Sequence, residues 1–321
     1  MGGNPLEDYE VKLPLRRRLN SVRLWTKALR VDQWTKNGAV MLAWFFSVAD
    51  KSQTLSRDWT SFAMALAMAA SFSFLSSAFY LLNDVSDYES DRRHPVKRHR
   101  PIAAGLVSRI TAVRVGLVLF AAGFAYPALV IMFLPSRTIA FGTVLAYTVM
   151  QCLYTGFLKR VPYVDVATLA AGFVLRAVAG AAIIEAYISP WLLVCTFTLS
   201  MFLAFCKRRH EREIAVESRA VLKHYHPRFL SLCIFTAAFA SFAEYLAYTL
   251  TSKMGASFPF LWTTSIFVAL GIARYLVLAY RKADVGRPEK VLLSDHILWL
   301  VLAGYAACSV AVVAIGLYGA S

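Results

Sequence analysis

Residues 60–91 read TSFAMALAMAASFSFLSSAFYLLNDVSDYESD. The first 23 carry no charge, enough for a helix to cross the hydrocarbon core of a bilayer, about 30 Å thick at 1.5 Å per residue. The next nine open with Asn83 and Asp84 and continue to Asp87 and Asp91, an NDxxDxxxD pattern at the place where that helix leaves the apolar layer. A spacing of i, i+3 and i+7 sets the three carboxylates on one helical face. An uncharged span that runs out into an acidic face makes this an all-α polytopic membrane protein with its chemistry at the membrane surface.

The rest of the chain agrees. Of 321 residues, 58% are hydrophobic and 17% charged, against about 25% charged in a soluble domain. That excludes disorder, a coiled coil and an ordinary soluble enzyme. Apolar stretches at 38–55, 60–82, 110–133, 138–157, 163–184, 189–206, 229–251, 258–280 and 295–318 predict nine transmembrane helices. Segments 1–36, 83–109, 158–162, 207–228 and 281–294 carry 27 of the 34 lysines and arginines, and the alternate loops carry four. By the positive-inside rule the N-terminus is cytoplasmic, the C-terminus outside, and the protein is multi-pass in the cell (inner) membrane. The five cysteines lie in or beside apolar runs with no metal-ligand spacing, as small hydrophobes do.

Segment 1–36 has no secretory apolar core. Leu15, Leu19, Val22, Trp25 and Leu29 fall three or four apart among six basic residues, which predicts a basic amphipathic helix on the inner leaflet. The division expected is therefore a membrane-surface segment, 1–36, and a transmembrane catalytic domain, 37–321. Since topology and anionic membrane lipids account for the net charge of +15, it does not signal nucleic acid.

The acidic pattern has a chemical reading. Three neighbouring carboxylates repel one another unless a cation lies among them, and a hard-oxygen set open to water or phosphate suits magnesium. Arg92, Arg93, Lys97, Arg98 and Arg100 follow, in a loop stiffened by Pro95 and Pro101. Acids for the metal and bases for phosphate oxygens together suit a magnesium–diphosphate complex. The ordinary alternative is a solvated acidic helix end followed by positive-inside residues.

These residues resemble the UbiA-type intramembrane prenyltransferase superfamily, and within it the decaprenyl-phosphate phosphoribosyltransferase branch. The resemblance rests on Gln33, Trp34, Lys36 and Asn37 (QWTKN), on DRRHPVKRHRPIAAG from Asp91 to Gly105, on Tyr154 and Lys159 (YTGFLK), and on GFVLRAVAG from Gly172 to Gly180. Most of the superfamily has a second aspartate motif after helix six. This chain has CKRRHEREI there, with Lys207 and Arg208 in place of carboxylates. Cations there suit direct phosphate binding and a site with one magnesium diphosphate.

The resemblance implies a nine-helix UbiA-type bundle with cytoplasmic active-site loops. It also implies magnesium-dependent transfer of phosphoribosyl from phosphoribosyl diphosphate to a polyprenyl phosphate, in cell-envelope arabinose precursor synthesis. Asn83, Asp87 and Asp91 are then the metal ligands, and Asp87, Asp91 and Lys36 the catalytic set. Asn83, Asp84, Lys97, Arg100, Tyr154, Lys159, Arg176, Lys207 and Arg208 are the substrate-binding residues. Asp84 joins the metal or caps the helix. For Arg176, inside helix five, two readings stay open, a substrate phosphate or a pair with Asp165. Asp165 is a secondary metal candidate, and Glu185, Glu244 and Arg274 read as structural. A homo-oligomer remains open. Two rival functions are an aromatic prenyltransferase of the same superfamily and a transporter of an anionic lipid or metabolite. The missing second aspartate motif counts against the first, and the clustering of chemistry-bearing residues in cytoplasmic loops rather than mid-membrane counts against the second.

Overall fold

A computed structural model describes residues 13–48, 58–93, 97–215, 220–281, 291 and 294–318. Among these there is no strand, and eight helices are long and apolar enough to cross a membrane. The chain divides into two compact units, Met1–Thr35 with Ala70–Tyr126, and Lys36–Ala69 with Pro127–Ser321.

In the first unit, helix α1 (Leu13–Ala28) is followed by the C-terminal part of α3 (Trp59–Ser86), by the short α4 (Tyr88–Arg93) and by most of α5 (Arg109–Phe133). Ala28, Leu81, Ile102, Val107 and Ala112 form its buried core, with Leu24, Trp25 and Leu29 packed against them. Part of the apolar stripe expected to face lipid, Trp25 and Leu29, thus packs on protein, while Val22 stays exposed. Trp34 donates to Ser77 Oγ (3.0 Å), and Ser77 donates to Leu29 O (2.8 Å). Tyr80 donates to Gln33 Oε1 (2.9 Å). The QW half of the QWTKN run is therefore an anchor on α3.

The second unit begins with a 3₁₀ segment, Val31–Met41, most of which belongs to it, and α2 (Leu42–Val48). It continues through α6 (Thr138–Gly156), α7 (Val164–Ile183), α8 (Pro190–Ala215), α9 (Pro227–Thr251), the short α10 (Lys253–Ser257), α11 (Thr264–Tyr280) and α12 (His296–Tyr318). Helix α7 packs between α6 and α8, α8 on α9, α9 on α11 and α11 on α12. Alanines and glycines fill most of the buried face of α7, which lets neighbouring backbones approach closely where the bilayer offers no hydrophobic drive. Tyr245 bonds Thr264 and Tyr305 (2.9 Å each), joining α9, α11 and α12. Arg274 donates to Asp295 (2.7 Å), and this hydrogen bond holds the Asp295 carboxyl below its usual range. Glu185 accepts from Ser136, and Glu244 accepts from Thr198. Glu185, Glu244 and Arg274 thus have the kind of partners their structural reading needs.

The first expected span differs from the reading of 38–55. Its start is 3₁₀ up to Met41, a seven-residue helix follows, and 49–57 lie outside the described residues. The physical reason lies in α7. A Cβ on Gly180 would come within 1.8 Å of Val40 O, so the segment lies directly on the α7 backbone, with Asn37 and Val40 buried. Irregular backbone is tolerated at membrane depth when protein covers it. Gly180→Ala is expected to destabilise the protein by about 3 kcal/mol, the upper end for overpacking because the clash is with backbone. A thermal melt in detergent checks it, and an unchanged melting temperature would show that the segment moves aside freely.

Candidate active site

The acidic residues sit where α3 passes into α4. Asp87 N donates to Asn83 O and Asp91 N to Asp87 O (2.8 Å each), so the helical course survives the junction and Asp84 and Asp91 share a face. Arg100 Nη1 donates to Asp84 Oδ1 (3.0 Å) and to Asp91 Oδ2 (2.7 Å). Arg30 Nη2 donates to Asp84 Oδ1 (2.7 Å), its guanidinium 4.4 Å above the Tyr80 ring. Asp84 is 4% exposed and Asp91 1%, whereas Asp87 and Asn83 are half-buried.

Arg100 reaches both acids because its loop folds back. Lys97–His99 form a 3₁₀ turn, Leu106 N and Val107 N both bond Pro101 O, and Gly105 takes the left-handed conformation (φ 74°) that glycine adopts without strain. Ile102 and Val107 then bury against Leu81 and Ala28. The PIAAG part of the motif is an apolar anchor that places an arginine. Arg30 follows the end of α1 in the left-handed region (φ 52°), a strained conformation of the sort found at functional sites.

Of the expected ligands Asn83, Asp87 and Asp91, Asp91 meets Asp84 through the shared guanidinium of Arg100, and among the described residues no group of three or more His, Cys, Asp or Glu is arranged to hold a metal. Magnesium is nevertheless bound by one or two carboxylates together with substrate phosphates. Two buried carboxylates already gathered on a cation fit that manner of binding.

A second cluster lies within the other unit. Arg208, 1% exposed, donates from Nε to Asp165 Oδ2 (2.7 Å) and from Nη1 to Glu211. The Tyr225 hydroxyl donates to the other oxygen of Asp165 and accepts from Tyr163 N (2.9 Å). Burial, then the hydrogen bond to Asp165, pushes that phenol well above the usual tyrosine range. Tyr163 is itself left-handed (φ 66°), and Tyr154 lies close enough to Arg208 to interact electrostatically. Lys207 Nζ stands 3.9 Å from Glu211, and Lys159 lies half-buried in the 3₁₀ turn Leu158–Arg160.

Of the two readings of Arg176, the pair with Asp165 is not formed, because Asp165 is held by Arg208 and Tyr225. Arg176 donates to Asn37 Oδ1 (2.8 Å), Gly172 O (3.0 Å) and the Tyr147 hydroxyl (2.9 Å). It joins the KN half of QWTKN to α7, next to half-buried Lys36. Sequence reasoning missed Arg30, Tyr147 and Tyr225 as partners. Nothing in their local patterns marks contacts 29 to 60 residues distant.

The described residues thus form a helical membrane protein with an aspartate-bearing span end and buried carboxylate–guanidinium clusters. Residues 39–301 match the UbiA prenyltransferase family, and the chain belongs to that family. It is 32% identical over 294 residues to the decaprenyl-phosphate phosphoribosyltransferase of Corynebacterium glutamicum, covering 88% of this chain and 85% of that protein. It is 31% identical over 299 residues to the enzyme of the same name from Mycobacterium tuberculosis, covering 90% and 94%. A UbiA homologue from Archaeoglobus fulgidus, solved bound to DMAPP and Mg2+, has the same fold, with a TM-score of 0.65 at 16% identity over 92% of this chain and 98% of that one.

Proposed function

We propose that this protein transfers 5-phosphoribosyl from phosphoribosyl diphosphate to a polyprenyl phosphate of the decaprenyl type, with magnesium, at the cytoplasmic face of the inner membrane. The product would serve as a precursor of cell-envelope arabinose. The observation that carries the reading is the pair Asp84–Asp91 held on Arg100 at a span end, in a chain whose relatives bear that activity in their names. The C-terminal end of α8 supports it, with Lys207 and Arg208 where an aspartate motif would serve a prenyl diphosphate.

In this reading the C1–O bond of the donor breaks, diphosphate leaves, and an oxygen of the lipid phosphate forms the new bond to C1. A phosphate monoester is largely dianionic near neutral pH and needs no general base. Magnesium, held by Asp91 with Asp87 and Asn83 or Asp84 and by the donor, would neutralise charge on the departing diphosphate. Lys36, Lys97, Lys159 and Lys207 supply cations, and Tyr154 a hydroxyl, for the phosphates of both reactants, so catalysis rests on holding two anions together. Arg100 holds the Asp84 and Asp91 carboxylates in place, and Arg176 fixes the Lys36 segment.

The test is purified protein in detergent with polyprenyl phosphate and labelled phosphoribosyl diphosphate. A lipid-soluble labelled product that disappears on chelation is expected. Turnover of a prenyl diphosphate with an aromatic acid, and none of the phosphoribosyl donor, would replace this reading with the aromatic prenyltransferase.

A further inference from the structure

Where the C-terminal end of α8 meets the start of α9 there is a cavity of about 110 Å³, lined by Arg209, Arg212, Glu213, Pro227 and Leu230. It lies outside the Asp165–Arg208–Glu211–Tyr225 cluster, because Arg209, Arg212 and Glu213 share the i, i+3, i+4 face of α8 that packs toward α9. One water needs about 10–15 Å³ of such space, so a larger group fits.

The walls ask for an acceptor. Arg209 Nη1 donates to Ser231 Oγ (3.2 Å), and Nη2 pairs with half-exposed Glu213 (3.0 Å). Its guanidinium lies 3.8 Å above the Tyr280 ring. Among the described residues, Arg209 Nε and the Tyr280 hydroxyl have no hydrogen-bond partner, and both atoms are buried. Two stacked, buried donors without acceptors are costly, and native proteins nearly always satisfy such groups. The adjoining turn of α9 adds to the demand. His226 at its cap position makes no side-chain cap, so the positive end of a 25-residue helix borders the same cavity.

We infer that this cavity binds the phosphodiester oxyanion of a membrane glycerophospholipid. The oxygens accept from Arg209 and Arg212, and Pro227 and Leu230 give the apolar wall that a lipid's glycerol and ester region prefers. The candidate spans Pro190–Glu213 and Pro227–Thr251 end and begin at this cavity, which puts it at the depth of the headgroup phosphates. A free phosphate offers the same oxygens but gains nothing from that depth or from the apolar wall. The inference stands apart from the proposed reaction and is tested without either reactant.

Delipidated protein in neutral detergent is melted with phosphatidylcholine, with phosphatidylglycerol and with inorganic phosphate. Phosphatidylglycerol is expected to raise the melting temperature in a saturable way, phosphatidylcholine less because its choline offsets the phosphate charge, and inorganic phosphate not at all. Arg212→Gln, which removes charge without touching the Arg209–Tyr280 stack, is expected to weaken the apparent affinity about tenfold, the loss of one charged hydrogen bond. Tyr280→Phe keeps the ring beneath Arg209 and is expected to melt close to the parent. An equal rise with inorganic phosphate overturns the lipid-borne assignment. No rise, or one that Arg212→Gln leaves intact, overturns the site.

Discussion

Asp91→Asn is expected to lower lipid-linked product formation by about a hundredfold or more while the protein still folds. The asparagine keeps the shape of a side chain that is 1% exposed and removes the charge that Arg100 and a divalent ion both require. Arg100 keeps Asp84 as a partner and is 30% exposed, so folding loses one charged hydrogen bond, about 1.5–3 kcal/mol before screening by solvent. Activity loses more, because preorganised charge at a leaving group is commonly worth 10² to 10³ in rate. The half-saturating magnesium concentration should rise as well, which a merely structural acid would not cause. Asp87→Asn tests the division of labour. Its carboxylate is half-buried and has no ion pair among the described residues, so it should leave the melting temperature unchanged and still depress activity. Full activity in both variants would remove the metal from this end of α3.

Arg100→Lys gives the contrast. A lysine puts a compact charge where a guanidinium fork touches two carboxylates, so the Asp84–Asp91 geometry loosens although the net charge is kept. The difference explains what the sequence could and could not disclose. NDxxDxxxD is contiguous, and helical periodicity alone brings Asp84 and Asp91 to one face, so the acidic half of the site was legible. Which cation they meet was not. Arg100 gets there through a loop whose fold depends on Ile102 and Val107 finding Leu81 and Ala28, a tertiary matter. Arg30 read as one more basic residue of a surface helix, and its contact with Asp84 spans 54 positions. The start of the first membrane stretch was not legible for the same reason. Hydropathy registers that 38–55 is apolar but not that Gly180 lets irregular backbone lie against α7. Arg208 read as a substrate residue and Arg209 as part of the positive flank, yet about 100° of helical rotation turns the first to Asp165 and the second to Tyr280.

That rotation carries the other large effect, on stability. Asp165→Leu leaves the Arg208 guanidinium almost wholly buried with only Glu211, itself partly exposed, and leaves the Tyr225 hydroxyl without its acceptor. Removing one partner of a buried ion pair costs about 3–5 kcal/mol, since the survivor keeps its desolvation penalty and loses its compensation. Arg208→Met should cost a similar amount by stranding Asp165, softened by the Tyr225 hydrogen bond. The double variant removes both charges together, so it should melt well above Asp165→Leu, the non-additivity that marks a direct interaction. Activity then discriminates between roles for Arg208. If Arg208 serves only to set the α8 turn carrying Lys207, the stable double variant should regain much of its product formation. A double variant that melts like the parent but makes no product would mean that Arg208 also reaches a substrate phosphate, and that Asp165 holds it ready for one.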